Sequence, residues 1–148
     1  MYDYIKSDVN IISYHGDVNV DADGYAHLII SVTDTVQGSN SGINALVEVY
    51  ETASGWMGKV IDPDMTDSTF TKFDGPALGQ MGPSGYLALN ADRNILFAQW
   101  VKGSPTAGDS LCDVYYSYRS LDGEWSTPIN LTNTDEINEN SSHLAPML

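Results

Sequence analysis

Cationic side chains are scarce: six Lys and Arg stand against 20 Asp and Glu in 148 residues, a formal net charge of −14. Such a surface repels phosphate backbones and anionic headgroups, so nucleic acid and membrane surfaces are not expected partners. Cysteine is almost absent. Cys112 stands alone, which excludes an internal disulfide and a thiolate metal cluster. Its place in the run Cys112-Asp113-Val114-Tyr115-Tyr116 reads as a buried structural thiol, with no neighbouring base to make it a nucleophile. Long apolar runs are missing too: Ile95-Leu96-Phe97-Ala98 is far too short to cross a bilayer, so no membrane insertion is expected. The opening Met1-Tyr2-Asp3-Tyr4-Ile5-Lys6 shows neither the basic nor the apolar region of a secretory leader. That leaves a cytoplasmic chain, or a mature or excised piece of a secreted one.

What is present points to strands. Hydrophobic residues make up 42 % and charged residues 18 %, enough apolar content for a packed core. Thirteen Gly, six Pro and nine Tyr favour turns and strands over helix bundles. Trp56 and Trp125 lie 69 positions apart, and the same offset pairs Gly16 with Gly85, Ala22 with Ala91, Asp23 with Asp92 and Val32 with Val101. Val18 and Leu87, Val20 and Leu89, Asp21 and Asn90, and Leu28 and Phe97 match conservatively at that offset, with no insertion needed.

Within each copy the hydrophobic period is 2. Ala26, Leu28, Ile30 and Val32 alternate with Tyr25, His27, Ile29 and Ser31; Ile43, Ala45, Val47 and Val49 alternate with Asn44, Leu46, Glu48 and Tyr50; Val114, Tyr116 and Tyr118 alternate with Tyr115, Ser117 and Arg119. Turn chemistry punctuates these runs at Asp21-Ala22-Asp23-Gly24, Ser54-Gly55, Asn90-Ala91-Asp92-Arg93 and Leu121-Asp122-Gly123. Four strands per copy follow, near Tyr14–Val20, Tyr25–Thr33, Ile43–Thr52 and Trp56–Ile61, then Pro83–Leu89, Asn94–Lys102, Cys112–Ser120 and Trp125–Leu131. The expected fold is all-β: two four-stranded antiparallel β-propeller blades, with an eight-stranded β-sandwich as the rival that does not require the repeat. Residues 14–82 form the first blade and 83–142 the second; 1–13 read as the end of a preceding blade and 143–148 as the start of a next one.

The stretch from Asp113-Val114-Tyr115-Tyr116-Ser117 through Ser120-Leu121-Asp122-Gly123-Glu124-Trp125 to Ser126-Thr127-Pro128 resembles the sialidase-type, or BNR, repeats of bacterial β-propellers. There a strand of this kind runs into an Asp-box turn and a fourth strand opening on Trp-Ser. Here the turn is two residues shorter than the full motif, and the first copy, Thr52-Ala53-Ser54-Gly55-Trp56, lacks the Asp. The resemblance implies the blade fold and a secreted or cell-surface bacterial protein. It does not imply sialidase activity, because the Asp-box is a turn-stabilising element of the propeller rim.

No catalytic set stands out. A sialidase-like site needs three arginines to clamp a carboxylate, and this chain has Arg93 and Arg119, both expected at outer-strand or turn positions. No spacing singles out a glycosidase carboxylate pair among the acidic residues. His15, His27 and His143 are too dispersed for a metal set, and His27 reads as a satisfied structural histidine; His15 and His143 each open an innermost strand. Asp62-Pro63-Asp64-Met65-Thr66-Asp67 has close-spaced oxygen ligands but no Gly turn or distal Glu, so an acidic surface loop is the expectation. Trp56, Trp100 and Trp125 would be sugar-stacking platforms if exposed; the two that recur with the repeat are expected in packing instead. Asn130-Leu131-Thr132 and Asn140-Ser141-Ser142 match the glycosylation acceptor pattern.

The sequence therefore leads to a non-catalytic scaffold or binding segment of an extracellular propeller protein, with no catalytic residues, metal or cofactor expected. The alternative is a fragment of a carbohydrate-active, glycoside hydrolase-like propeller enzyme. Expected partners are other blades or subunits, in a homo-oligomer or larger complex, and a glycan held by the connections 62–80 and 130–142. Two sheet faces, Ala26/Leu28/Ile30/Val32 and Val114/Tyr116/Tyr118, are expected to point outward and need neighbours.

Overall fold

Period-2 patterning produces two antiparallel sheets. The computed structural model describes residues 9–10, 16–34, 44–63, 85–103 and 112–134, and no helix occurs among them. The first sheet contains β1 (Val9–Asn10), β2 (Asp17–Val20), β3 (Ala26–Asp34), β4 (Asn44–Thr52) and β5 (Gly55–Asp62). It is four strands wide, because β1 and β2 lie end to end along one edge of β3. The second sheet runs in order β6 (Tyr86–Leu89), β7 (Ile95–Gly103), β8 (Cys112–Ser120) and β9 (Ile129–Asn130). Seven of the eight expected strands are present within a few residues. The eighth is much shorter than Trp125–Leu131, and Pro128 brings no N–H to extend its ladder. The segment still follows β8: Ser126 N–H donates to Tyr118 O (2.9 Å) and Leu131 N–H to Val114 O (2.7 Å).

The hairpin turns explain both the repeat and a departure from it. Asp21 Oδ1 accepts from the main-chain N–H groups of Asp23 and Tyr25, and Asn90 Oδ1 accepts from those of Asn94 and Ile95, all at 2.9 Å. Gly24 and Arg93, which the 69-residue offset pairs, both have positive φ (90° and 54°). The second turn then holds one residue more, closing between Asn90 and Ile95 where the first closes between Asp21 and Tyr25. The sequence offset of 69 thus holds for β2 and β6. Past the turn, the cross-strand pairs match at 70 for β3 with β7 and at 68 for β4 with β8.

The core lies between the sheets. Ile29, Leu46 and Ile61 from the first pack against Leu87, Ala98, Trp100 and Tyr115 from the second, with Trp125 against their edge. A bulge in β5 between the Val47–Val60 and Leu46–Asp62 pairs turns both Ile61 and Asp62 into buried positions. Trp100, the tryptophan without a repeat counterpart, is fully buried, whereas Trp56 is 54 % exposed. The expectation that Trp56 and Trp125 share a packing role therefore fails for Trp56. A repeat position preserves strand order but not what faces it.

Each sheet presents a different kind of face to the other. In an antiparallel ladder, the direction of a residue's N–H and C=O fixes the face of its side chain. In the first sheet, the residues in register with the hydrogen-bonded Asp21–Tyr25 pair, namely Asn19–His27 and Asp17–Ile29, point toward the second sheet. In the second sheet the corresponding set continues from Asn90–Ile95 through Ala88–Phe97 and Tyr86–Gln99, and it points away; Leu87, Leu89, Leu96 and Ala98 point inward. Opposite faces of equivalent sheets therefore meet. The Leu28/Ile30 and Val114/Tyr116/Tyr118 sets both point away from the seam, as the sequence leads one to expect.

Gly85 enters the seam where no Cβ fits: an added methyl would come within 2.5 Å of Ile29 Cδ1 and 3.1 Å of Leu46 Cδ1. Both neighbours are fully buried, so an added methyl must displace packed side chains. Gly85→Ala is expected to cost about 1–3 kcal/mol by overpacking, and Leu87→Ala about 2–5 kcal/mol by leaving a cavity. Denaturant titration of each variant measures these losses; an unchanged midpoint for Gly85→Ala would place Ile29 and Leu46 in looser packing than described.

Candidate functional site

At the hairpin end of the seam, β3, β4 and β8 bring together side chains that lie far apart in sequence. Glu48 sits mid-strand on β4 and is fully buried. Its carboxylate takes a two-pronged contact from Arg119 on β8: Nε to Oε2 at 2.8 Å and Nη2 to Oε1 at 2.6 Å. Trp125 Nε1 donates to Oε2 at 2.9 Å, and His27 Nδ1 lies 2.7 Å from Oε1. The remaining Arg119 nitrogen, Nη1, donates to the carbonyl of Ser120 (2.9 Å) and to that of Leu121. The guanidinium lies over the rings of Tyr50 and Trp125, 5.0 and 5.6 Å from their centroids.

His27 links this group to the first hairpin turn. Its Nε2 lies 3.3 Å from Asp21 Oδ2, and its ring stacks on Tyr50 at 5.7 Å. Each ring nitrogen faces a carboxylate oxygen, so neutral imidazole donates to one of them and imidazolium to both. Burial pushes the Glu48 carboxyl up, but hydrogen bonds from His27 and Arg119 and their positive charge outweigh it and hold the group below its ordinary value. Burial acts the same way on Asp21, where the Tyr25 N–H, His27 and the Asp23 N–H prevail and lower it.

Two further polar groups brace the seam. Asp17 Oδ2 accepts from Leu87 N–H (2.9 Å), and Asn19 Nδ2 donates to Leu87 O (2.8 Å), so β2 side chains satisfy the main chain on the outer edge of β6. At the opposite end, buried Asp62 accepts from Trp100 Nε1 (3.2 Å) and pairs with Lys102 Nζ (3.1 Å).

Beside the Glu48 group opens a cleft of about 460 Å³, bordered by Asp21, Asp23, Tyr25, Tyr50, Glu51 and Asp122 among others. Lys59 lies at its edge, paired with Glu124 at 3.0 Å and donating to the Gly123 carbonyl. Turn residues from both sheets contribute to its rim, and Asp21, Asp23 and Asp122 among them bring carboxylates to it. Such a cleft can accept hydrogen bonds from hydroxyl or ammonium donors. Among the described residues, no three His, Cys, Asp or Glu side chains converge as metal ligands would.

The expected site residues fare unevenly. His27 is a buried, partnered histidine. Arg93 is in a turn and exposed, but Arg119 is not at an outer position: it is 2 % exposed and occupies the seam. The expectation treated both arginines as peripheral because strand alternation alone does not say which face a second sheet will cover. Asp62 is a buried ion-pair partner rather than part of a surface loop; 64–67 lie outside the described residues, as do His15, His143 and Asn140, and most of 62–80. The Glu48–Arg119 pair was missed. Its available signal was slight: Glu48 stands mid-way along β4 and Arg119, one of the few cations, near the end of β8, in strands that also carry Glu51 and Asp113. Comparison of the chain with protein families, with curated proteins and with solved structures finds no match in any of the three.

Removing one partner strands the other charge in the seam. Arg119→Met is expected to cost about 3–5 kcal/mol, and the double variant Glu48→Leu/Arg119→Met less than the two single losses combined. Glu48 and Asp21 have folded values below their unfolded ones, so their stabilisation is complete above the unfolded carboxylate range and is lost as pH falls through the folded values. Denaturant titration from pH 7 down to pH 3 should show falling stability in the wild type and a shallower fall in Glu48→Gln. Equal slopes would remove Glu48 from the acid response.

Proposed function

We propose that the chain is a non-catalytic scaffold or binding segment of a secreted or cell-surface β-propeller protein, its two sheets being neighbouring blades. The observation that carries this reading is that equivalent sheets meet through opposite faces. A sandwich closed by a two-fold axis joins like faces, whereas blades related by rotation each offer one face forward and the other back. The Asp17 and Asn19 contacts to Leu87 support it too, because they set the first strands of the two sheets side by side, as around a central axis. The Glu48 group serves as a seam between blades: its carboxylate is occupied by donors and kept ionised, which suits cohesion better than proton transfer.

The binding part of the role falls to the cleft at the hairpin turns. Its carboxylates and the Tyr25 and Tyr50 side chains match the hydroxyl donors and apolar faces of a neutral glycan.

Electron-microscopic images of the intact protein that contains this chain should show a disc of four to eight radial sheets. A two-layer particle with no further sheets would overturn the blade reading. A panel of glycoside substrates should show no turnover by that protein; hydrolysis that disappears when Asp21, Asp23 or Asp122 is replaced would instead establish an enzyme.

A further inference from the structure

The two hairpin turns gather main-chain N–H groups in the same way but are anchored differently. Asn90 Oδ1 holds the Asn94 and Ile95 N–H groups, and its Nδ2 donates to Asn94 Oδ1 at 2.8 Å, so the whole side chain acts within its own turn. Asp21 Oδ1 holds the Asp23 and Tyr25 N–H groups, but its second oxygen reaches out of the turn and meets His27 Nε2 at 3.3 Å. The other ring nitrogen, Nδ1, lies 2.7 Å from Glu48 Oε1, which also accepts from Arg119 Nη2 of the second sheet at 2.6 Å. One imidazole therefore separates the first turn from the clamp between the sheets. Asp21 and His27 are only 6 % and 2 % exposed, so water has little access to replace either contact. Asp21, Asp23 and Tyr25 also border the cleft.

We propose that His27 is a positioning residue that makes the first turn, and with it the rim of the cleft, depend on the docking of the two sheets. The turn has two states: closed, with Asp21 Oδ1 holding the Asp23 and Tyr25 N–H groups, and open, with those groups released to water. Closure needs Asp21 to keep one rotamer, and the His27 contact on Oδ2 selects it. His27 is held in turn by Glu48 and by stacking on Tyr50 at 5.7 Å, whose ring carries the Arg119 guanidinium at 5.0 Å. When the Arg119 and Trp125 donors withdraw, Glu48 is free to turn, His27 loses its fixed partner, and the Asp21 rotamer is no longer selected. The Asn90 turn has no such tie among its described contacts and stays closed in either state of the seam. Coupling between two equilibria is reciprocal, so whatever holds the first turn closed also tightens the seam. That a glycan does so from the cleft rests on the binding reading; the coupling itself needs no ligand.

Hydrogen exchange of the 148-residue chain, followed amide by amide by NMR, tests the coupling in a double-variant cycle. Trp125→Phe removes the Nε1 donor to Glu48 and keeps an aromatic ring at that position. Exchange at Asp23 and Tyr25 should quicken about threefold to tenfold, while Asn94 and Ile95 keep their rates. His27→Phe keeps a ring against Tyr50 and cuts both polar contacts. It should itself quicken Asp23 and Tyr25, and adding Trp125→Phe should then change them no further. Arg119→Lys and His27→Leu replace these variants should either fold poorly. Unchanged rates at Asp23 and Tyr25 in the seam variant, equal quickening of both turns, or the same quickening with and without His27 overturns the coupling. None of these outcomes decides the blade reading, which imaging of the intact protein tests separately.

Discussion

A carboxylate taken out of water must find partners at close range, because the desolvation cost of a bare buried charge exceeds what one strand can offset. Glu48 is that carboxylate, and the surrounding architecture supplies its partners. Arg119 must come from β8, Trp125 from the turn beyond it, and His27 from the neighbouring strand of its own sheet. These demands tie β4 to β8 at one register. A slip of one residue would turn Glu48 to the other face and bury an unpaired guanidinium in its place.

Apolar packing and polar contacts divide the work of the seam. The cluster of Ile29, Leu46, Ile61, Leu87, Ala98, Trp100 and Tyr115 removes the largest apolar area from water and supplies most of the cohesion. Such packing is tolerant of small displacement. The Arg119 fork on Glu48, the Asp62 contacts to Trp100 and Lys102, and the Asp17 and Asn19 hold on Leu87 are directional. They stand at three places around the apolar cluster, so together they oppose both sliding and rotation of one sheet on the other.

The drift of the sequence offset away from strand position is a consequence of how the turns are built. Both hairpins use an Asx residue to gather main-chain N–H groups, but the second includes one more residue before its strand begins. A change of one residue reverses the face on which a given alignment column falls. That is why His27 aligns with Leu96 at the uniform offset of 69 and yet corresponds in strand position to Phe97. The duplicated pattern survives in the first strands and turns, while the faces have diverged: one carries the ionic seam, the other phenols.

The strands, their order and their turns were legible in the sequence, because period-2 alternation and Asp, Asn and Gly at turns act through local backbone geometry. So was the grouping of Leu28 with Ile30 and of Tyr116 with Tyr118 on one side of their strands, since alternation separates one side of a strand from the other. Local pattern could not tell which of the two sides a second sheet would cover. Arg119 therefore read as peripheral, Trp100 as a residue lacking a counterpart, and Trp56 as packed, whereas the first two are buried and the third is exposed. Charge in a strand has no address until another sheet supplies the opposite charge. The pairing of Glu48 with Arg119, 71 residues apart, was decided only when the tertiary structure brought the two sheets together and excluded water from between them.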